Sequence, residues 1–117
     1  MIFGIGTDLC STERLEQALD RTENLAERLF HPNELDLKLE SLAARFAAKE
    51  ALAKAIGDPQ QLSWSEIEIV KDEKGNPSFG FHGQTATNLA SLGQLNFHLS
   101  LTHDAQLAQA FVVVESY

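Results

Sequence analysis

The stretch Arg45-Phe46-Ala47-Ala48-Lys49-Glu50-Ala51-Leu52-Ala53-Lys54-Ala55-Ile56-Gly57 constrains the fold more than any other part of the chain. Ala, Leu, Lys and Glu are strong helix formers, and Gly57 followed by Pro59 is a stop signal. At roughly 100° per residue, Arg45 and Lys49 fall near each other, and Glu50 and Lys54 form a second pair about a third of a turn away. Alanines cover most of the remaining surface. A surface helix segregates polar from apolar residues. This one is apolar on several sides, so it is expected to pack on several sides, with its charges turned into confined space. Cations and a carboxylate there suit an anionic ligand with a metal ion. The same spacing also describes a solvated helix with an i,i+4 pair between Glu50 and Lys54.

Around this helix the chain divides into short elements. Ile2 to Leu9 reads as a strand in which Gly4 and Gly6 permit close backbone approach or a bulge, with Thr7 and Asp8 at its end. The pair of glycines is not a dinucleotide fingerprint, because the third glycine is missing. Ser11 or Thr12 caps a helix, and Asn24 marks a break in it. Phe30 to Leu35 reads as a turn, with Asn33 as cap of a short helix. Ile67 and Ile69 alternate with Glu66 and Glu68, the pattern of a half-buried strand. Lys71 to Pro77 is a hairpin turn, and Ser78 to His82 returns. Gly83 to Leu92 is a short helix. Leu95 to Thr102 alternates, His103-Asp104 makes a turn, and Leu107 to Val114 returns. Phe111-Val112-Val113-Val114 is too continuously apolar for a strand wet on one face, so it is expected in an interior or a subunit interface. The order predicts an α+β fold, an antiparallel sheet with helices packed on one side, in a single domain over 1–117.

A formal net charge of -8 argues against a general nucleic-acid surface. No apolar run spans a bilayer, and the N-terminus lacks the features of a signal peptide, so a cytoplasmic location is expected. The single cysteine, Cys10, excludes an intrachain disulfide and reads as a small, partly buried hydrophobe. Arg14, Arg21 and Arg28 recur every seven residues, one positive ridge if their helix is continuous. The acidic residues between them make a solvated face the simpler reading.

Asp8 and Glu50 are carboxylates on different elements, a donor set suited to Mg²⁺ with substrate phosphate oxygens. Lys49 and Lys54 would neutralise further phosphates as point charges, and Arg45 offers a fork. His103 would bind a phosphate, move a proton or simply occupy a turn. From the residues alone, the chain holds a metal-assisted site for a phosphate-containing ligand.

Gly4-Ile5-Gly6-Thr7-Asp8-Leu9, Arg45-Phe46-Ala47-Ala48-Lys49-Glu50-Ala51, Gly75-Asn76-Pro77 and Ser100-Leu101-Thr102-His103-Asp104 resemble, in this order, the motifs of the bacterial holo-acyl-carrier-protein synthases, the small single-domain phosphopantetheinyl transferases. The resemblance implies Mg²⁺-dependent transfer of phosphopantetheine from coenzyme A to a serine of acyl carrier protein, with adenosine bisphosphate as the other product. It also implies a homotrimer with sites between subunits. Carried over by residue, it makes Asp8 and Glu50 the metal ligands and, with His103, the catalytic set. Arg45, Lys49, Lys54, Asn76, Pro77, Thr102 and His103 become coenzyme A contacts. Arg14 and Arg21 become the face that meets the acidic carrier protein, which replaces the solvated-face reading. Three departures stand out: a short segment between Leu35 and Arg45, Asn76 where lysine is commoner, and Thr102 where serine is usual. A metal-dependent pyrophosphate hydrolase and a non-catalytic carrier-binding module are the alternative classes. The proton acceptor stays open among Glu50, a metal-bound water and His103.

Overall fold

The computed structural model describes residues 1–117. Strand β1 (Ile2–Ser11) leads into helix α1 (Thr12–Arg21), the one-and-a-half-turn helix α2 (Leu25–Leu29) and a 3-10 turn at Pro32–Glu34. Helix α3 (Leu39–Ile56) is followed by strands β2 (Ile67–Lys71) and β3 (Pro77–Phe81), helix α4 (Gly83–Ala90), and strands β4 (Leu95–Asp104) and β5 (Leu107–Ser116). All pairing is antiparallel. One sheet has the order β1-β5-β4, and β2-β3 forms a separate hairpin. The fold is therefore α+β, as expected, although the strands divide into two sheets. An aromatic cluster joins them, with Phe81 edge-on to Phe97 at 4.9 Å between ring centres.

Helix α3 begins six residues before the stretch that announced it and ends where Gly57 adopts a left-handed conformation, φ 82. It lies across the three-stranded sheet, over Ala108, Ala110, Val112 and Val114 of β5, all of them buried. The alanines of α3 make this approach possible. Ala43, Ala47, Ala48 and Ala51 are wholly buried. On β1 the matching small residues are Gly4 and Gly6. A Cβ at Gly4 would lie 1.8 Å from the Ala55 carbonyl oxygen, and one at Gly6 would lie 1.9 Å from that of Ala51. Strand and helix backbones thus touch where any side chain would hold them apart.

The opposite face of this sheet is uncovered and carries an apolar patch along β1 and β5, beside polar residues of β4. Ile5, Leu9, Leu107 and Phe111 are exposed there. Phe111 to Val114 is apolar on both faces because Val112 and Val114 point to α3 while Phe111 points outward. Two turns depart from expectation. Strand β4 runs through His103 and Asp104, and the reversal falls on Ala105 and Gln106, both at positive φ (50 and 64). This is the conformation of a hairpin turn that usually recruits Asn or Gly. It is held from outside, since the N–H and hydroxyl of Thr12 both bond to the Gln106 carbonyl, at 3.1 and 3.2 Å. The turn before α3 is capped by His31, whose Nδ1 accepts from the Asn33 N–H at 3.1 Å, and not by Asn33.

Gly6→Ala should destabilise the protein by about 1–3 kcal/mol or more in urea denaturation, since the new methyl forces a backbone shift in a packed layer. Gly80→Ala, whose Cβ would meet nothing nearer than 3.6 Å, should change stability by less than about 1 kcal/mol.

Candidate active site

The two charge pairs of α3 leave the helix in different directions. Glu50 and Lys54 point to β1. Lys54 Nζ donates to Asp8 Oδ1 at 3.0 Å and to the Thr7 carbonyl at 2.9 Å. The Asp8 and Glu50 carboxylates lie close enough to repel. Partial burial, and then the Asp8 charge, push the Glu50 carboxyl above its ordinary pKa, with Lys54 opposing. Cys10 borders the same cluster. Burial and the two carboxylates push its thiol up to about 11, so it is an unreactive apolar neighbour. Asp8, Glu50 and Lys54 are thus brought together, as the sequence reading expected.

The donor set fits a small hard cation. Two half-buried carboxylates crowd each other and have oxygen donors only, which suits Mg²⁺. Each residue reaches the cluster through the close contact of β1 and α3. Asp8 lies two residues beyond Gly6 and on the same face of the strand, while Glu50 precedes the Ala51 that Gly6 touches.

Lys49 and Arg45 go the other way, and here the sequence reading needs correction. Lys49 is fully buried. Its ammonium donates to Glu34 Oε1 at 2.6 Å, the Leu29 carbonyl at 2.9 Å and the Trp64 carbonyl at 3.1 Å. Three donors have three acceptors, leaving none for a ligand phosphate. Arg45 is also buried, with Nε 3.6 Å from Glu34 Oε2 and Nη1 3.4 Å from the Ser41 carbonyl. Burial lowers the pKa of both cations, and Glu34 opposes it. Lys49 has no donor left for a ligand, and both cations fasten α3 to Glu34, although Arg45 Nε itself has no hydrogen-bond partner. Glu34, read only as part of a turn, is the hub. It also accepts from the N–H groups of His31 and Ile69, each at 2.9 Å. The spacing His31-x-x-Glu34, an N-cap followed three residues later by a glutamate, was its one sequence signal.

The remaining candidates stand apart within a single chain. Residues paired across the sheet share a face, so Cys10, Ala108 and His103 form one row and Asp8, Ala110 and Leu101 the next. His103 therefore faces the helix side, but two strands from Cys10, about 10 Å at the usual strand spacing. Thr102 shares its row with Gln109 and Leu9 on the open face. Asn76 and Pro77 lie at the β2–β3 hairpin, where Asn76 is tied to Asp72 by its N–H at 2.9 Å and its amide at 3.1 Å. Arg14 and Arg21 are exposed on α1. Arg28 is on α2, beyond a break at Asn24 with φ 62, so the ridge is not continuous. Between α1, α2, β1 and α3 opens an apolar groove of about 710 Å³. It is floored by Cys10, Leu15 and Phe46 and has Arg14 among its lining residues.

Comparison with known proteins agrees with this geometry. The family model described as "ACPS: 4'-phosphopantetheinyl transferase superfamily" matches residues 4–112. The holo-[acyl-carrier-protein] synthase of Clavibacter michiganensis subsp. michiganensis is 51% identical over 115 residues, covering 98% of this chain and 97% of that protein. The crystal structure of holo-[acyl-carrier-protein] synthase from Neisseria meningitidis superposes with a TM-score of 0.89 at 34% identity, covering 99% of this chain and all of that one. That of the Bacillus anthracis enzyme, in complex with CoA (3',5'-ADP), superposes with a TM-score of 0.81 at 35% identity over 100% of this chain and 99% of that one. The chain belongs to the 4'-phosphopantetheinyl transferase superfamily.

Glu50 makes stability depend on pH. Its pKa is raised from the ordinary 4.5, so the native state keeps the proton to higher pH than the unfolded chain. Its contribution to stability therefore declines as pH climbs from the unfolded value through the native one. In metal-free buffer, the urea midpoint of Glu50→Gln relative to wild type should rise between about pH 4, near the ordinary carboxylate range, and neutrality. A margin independent of pH would contradict the burial of the Glu50 carboxyl beside Asp8.

Proposed function

We propose that the protein is a holo-acyl-carrier-protein synthase. It transfers 4'-phosphopantetheine from coenzyme A to a serine of acyl carrier protein and releases adenosine 3',5'-bisphosphate. The observation that carries this reading is the Asp8–Glu50–Lys54 cluster, brought together by β1 and α3. The full-length identity to proteins of that name supports it, as does the likeness to a structure holding coenzyme A.

Asp8 and Glu50 would hold Mg²⁺ between them. Bound there, the ion would neutralise charge developing on the pyrophosphate as the phosphorus–oxygen bond to the adenosine bisphosphate breaks. Lys54 keeps Asp8 in place and, with its side chain 57% exposed, has an ammonium hydrogen free for a phosphate oxygen. The serine hydroxyl attacks the phosphorus that carries pantetheine and must lose its proton. The Glu50 carboxylate would accept it. The apolar groove beside Leu9 and Cys10 suits the pantetheine arm or apolar side chains of the carrier. Arg14 and Arg21 offer positive charge to an acidic partner at its edge.

Thr102 and His103 point to opposite faces of β4, and Asn76 and Pro77 lie on the β2–β3 hairpin, yet all four are proposed to meet coenzyme A. A homotrimer with sites between subunits resolves this. The uncovered apolar patch carrying Ile5, Leu9 and Phe111 is a surface that such an assembly would bury.

Intact-mass spectrometry of apo carrier protein incubated with coenzyme A, Mg²⁺ and this protein should show the gain of one phosphopantetheine. Glu50→Gln should lower the rate by at least about 100-fold. Cleavage of coenzyme A without a change in carrier mass would favour a hydrolase, and binding without either would favour a docking module. Arg14→Glu with Arg21→Glu should raise the KM for carrier protein and leave that for coenzyme A nearly unchanged. An unchanged carrier KM would remove α1 from the docking face.

A further inference from the structure

A second cluster of ligand-type side chains lies away from the carboxylate pair. His31 opens the 3-10 turn, Glu68 is on β2, and His82 follows β3 and opens α4. Glu68 Oε1 is 3.0 Å from His82 Nε2 and 3.9 Å from His31 Nδ1, and the ligand atoms of the three lie within 4.8 Å of one another. The two imidazoles stack with centroids 4.5 Å apart. The Asn33 amide donates to Glu68 Oε2 at 3.1 Å, which fixes the carboxylate and leaves Oε1 turned toward both rings. The proposed transfer reaction uses none of these residues.

We infer that His31, Glu68 and His82 form a binding site for a divalent transition-metal ion of the zinc class, pinning the β2–β3 hairpin to the turn that leads into α3. Two imidazoles and one carboxylate are a nitrogen-rich set, which suits Zn²⁺, Co²⁺ or Ni²⁺ and not Mg²⁺. Metal–nitrogen bonds of about 2.0–2.1 Å place tetrahedral ligands about 3.4 Å apart. That value falls between the two separations from Glu68. The imidazole of His82, with its side chain 46% exposed, is free to turn and close the remaining distance. His31 Nδ1 gives up the Asn33 N–H when it binds, and that exposed N–H turns to water. The Asn33 contact to Glu68 is the outer partner that orients a ligating carboxylate. The fourth position faces solvent and takes water. Elsewhere His98 meets only one carboxylate, Glu115, at 2.6 Å, and so lacks the third ligand.

The test uses the full chain, stripped of metal and titrated with Zn²⁺ while thermal unfolding is followed. A parallel Co²⁺ titration reads visible absorption. One Zn²⁺ per chain should raise the unfolding midpoint, and Co²⁺ should give the intense bands of four-coordinate geometry. His82→Gln and His31→Asn should each weaken Zn²⁺ binding by at least about 10-fold, the low end of the loss seen on removing even an outer-shell partner. Asn at position 31 retains a side-chain acceptor for the turn, so loss of binding there is not loss of the cap. His98→Gln should bind as wild type does. Absence of a Zn²⁺-dependent shift in the wild type, or a shift that survives both cluster substitutions, would overturn the assignment. Because the readout is metal binding, it stands or falls independently of transferase activity.

Discussion

The contact between the backbones of β1 and α3 is the constraint from which the rest of the molecule follows. Gly4 and Gly6 meet the carbonyls of Ala55 and Ala51 with no room for a side chain. An α-helix and a strand rarely pack this closely, because side chains hold their axes apart. Here the interval is one helical turn on α3 and two residues on β1, so the contact is repeated and the register between the elements is fixed. Asp8 and Glu50 are adjacent because of that register. Burial, and then repulsion from Asp8, raise the Glu50 pKa. The fold therefore holds two like charges together against their mutual repulsion, an arrangement that a dication relieves.

Helix α3 supports this strain from behind. On its far side Lys49 and Arg45 enclose Glu34, and that carboxylate also accepts from the backbone of β2 and of the turn at His31. Removing one member of such a buried network leaves an uncompensated charge, worth about 3–5 kcal/mol, though the intact network adds less than that to net stability. Its effect is on geometry. Neighbouring residues on one helix, Lys49 and Glu50, serve opposite purposes. One is locked inside so that the next can be presented at a defined angle on the other side.

Much of this was legible in the sequence. The alanine-rich helix, its stop at Gly57, the glycine pair and the alternation of Ile67 and Ile69 have local causes, and local patterns reported them correctly. The carboxylate pair was legible too, since Asp8 and Glu50 both sit on elements whose faces periodicity predicts. The misreadings concern partners far apart in sequence. Whether Lys49 meets a ligand or an internal carboxylate depends on Glu34, which lies fifteen residues earlier and whose burial no local pattern reveals. The reversal after Asp104 was misplaced because Ala105 and Gln106 carry none of the usual turn chemistry. Their left-handed conformation is imposed by Thr12, ninety-four residues away. Thr102 was read in the strand and His103 in the turn; because β4 runs on through His103, strand alternation puts the two on opposite faces.

The account stands most directly on whether Asp8 and Glu50 act as one site. Mn²⁺, a paramagnetic substitute for Mg²⁺, allows the affinity of wild type, Asp8→Asn, Glu50→Gln and the double variant to be measured by electron paramagnetic resonance without any substrate. Ligands of one ion are coupled, so effects of the two substitutions should not add. Either single change should remove most of the affinity, and the second should remove little more. Additive losses, or an affinity indifferent to one of the two residues, would mean that the close approach of β1 and α3 does not build a shared metal site.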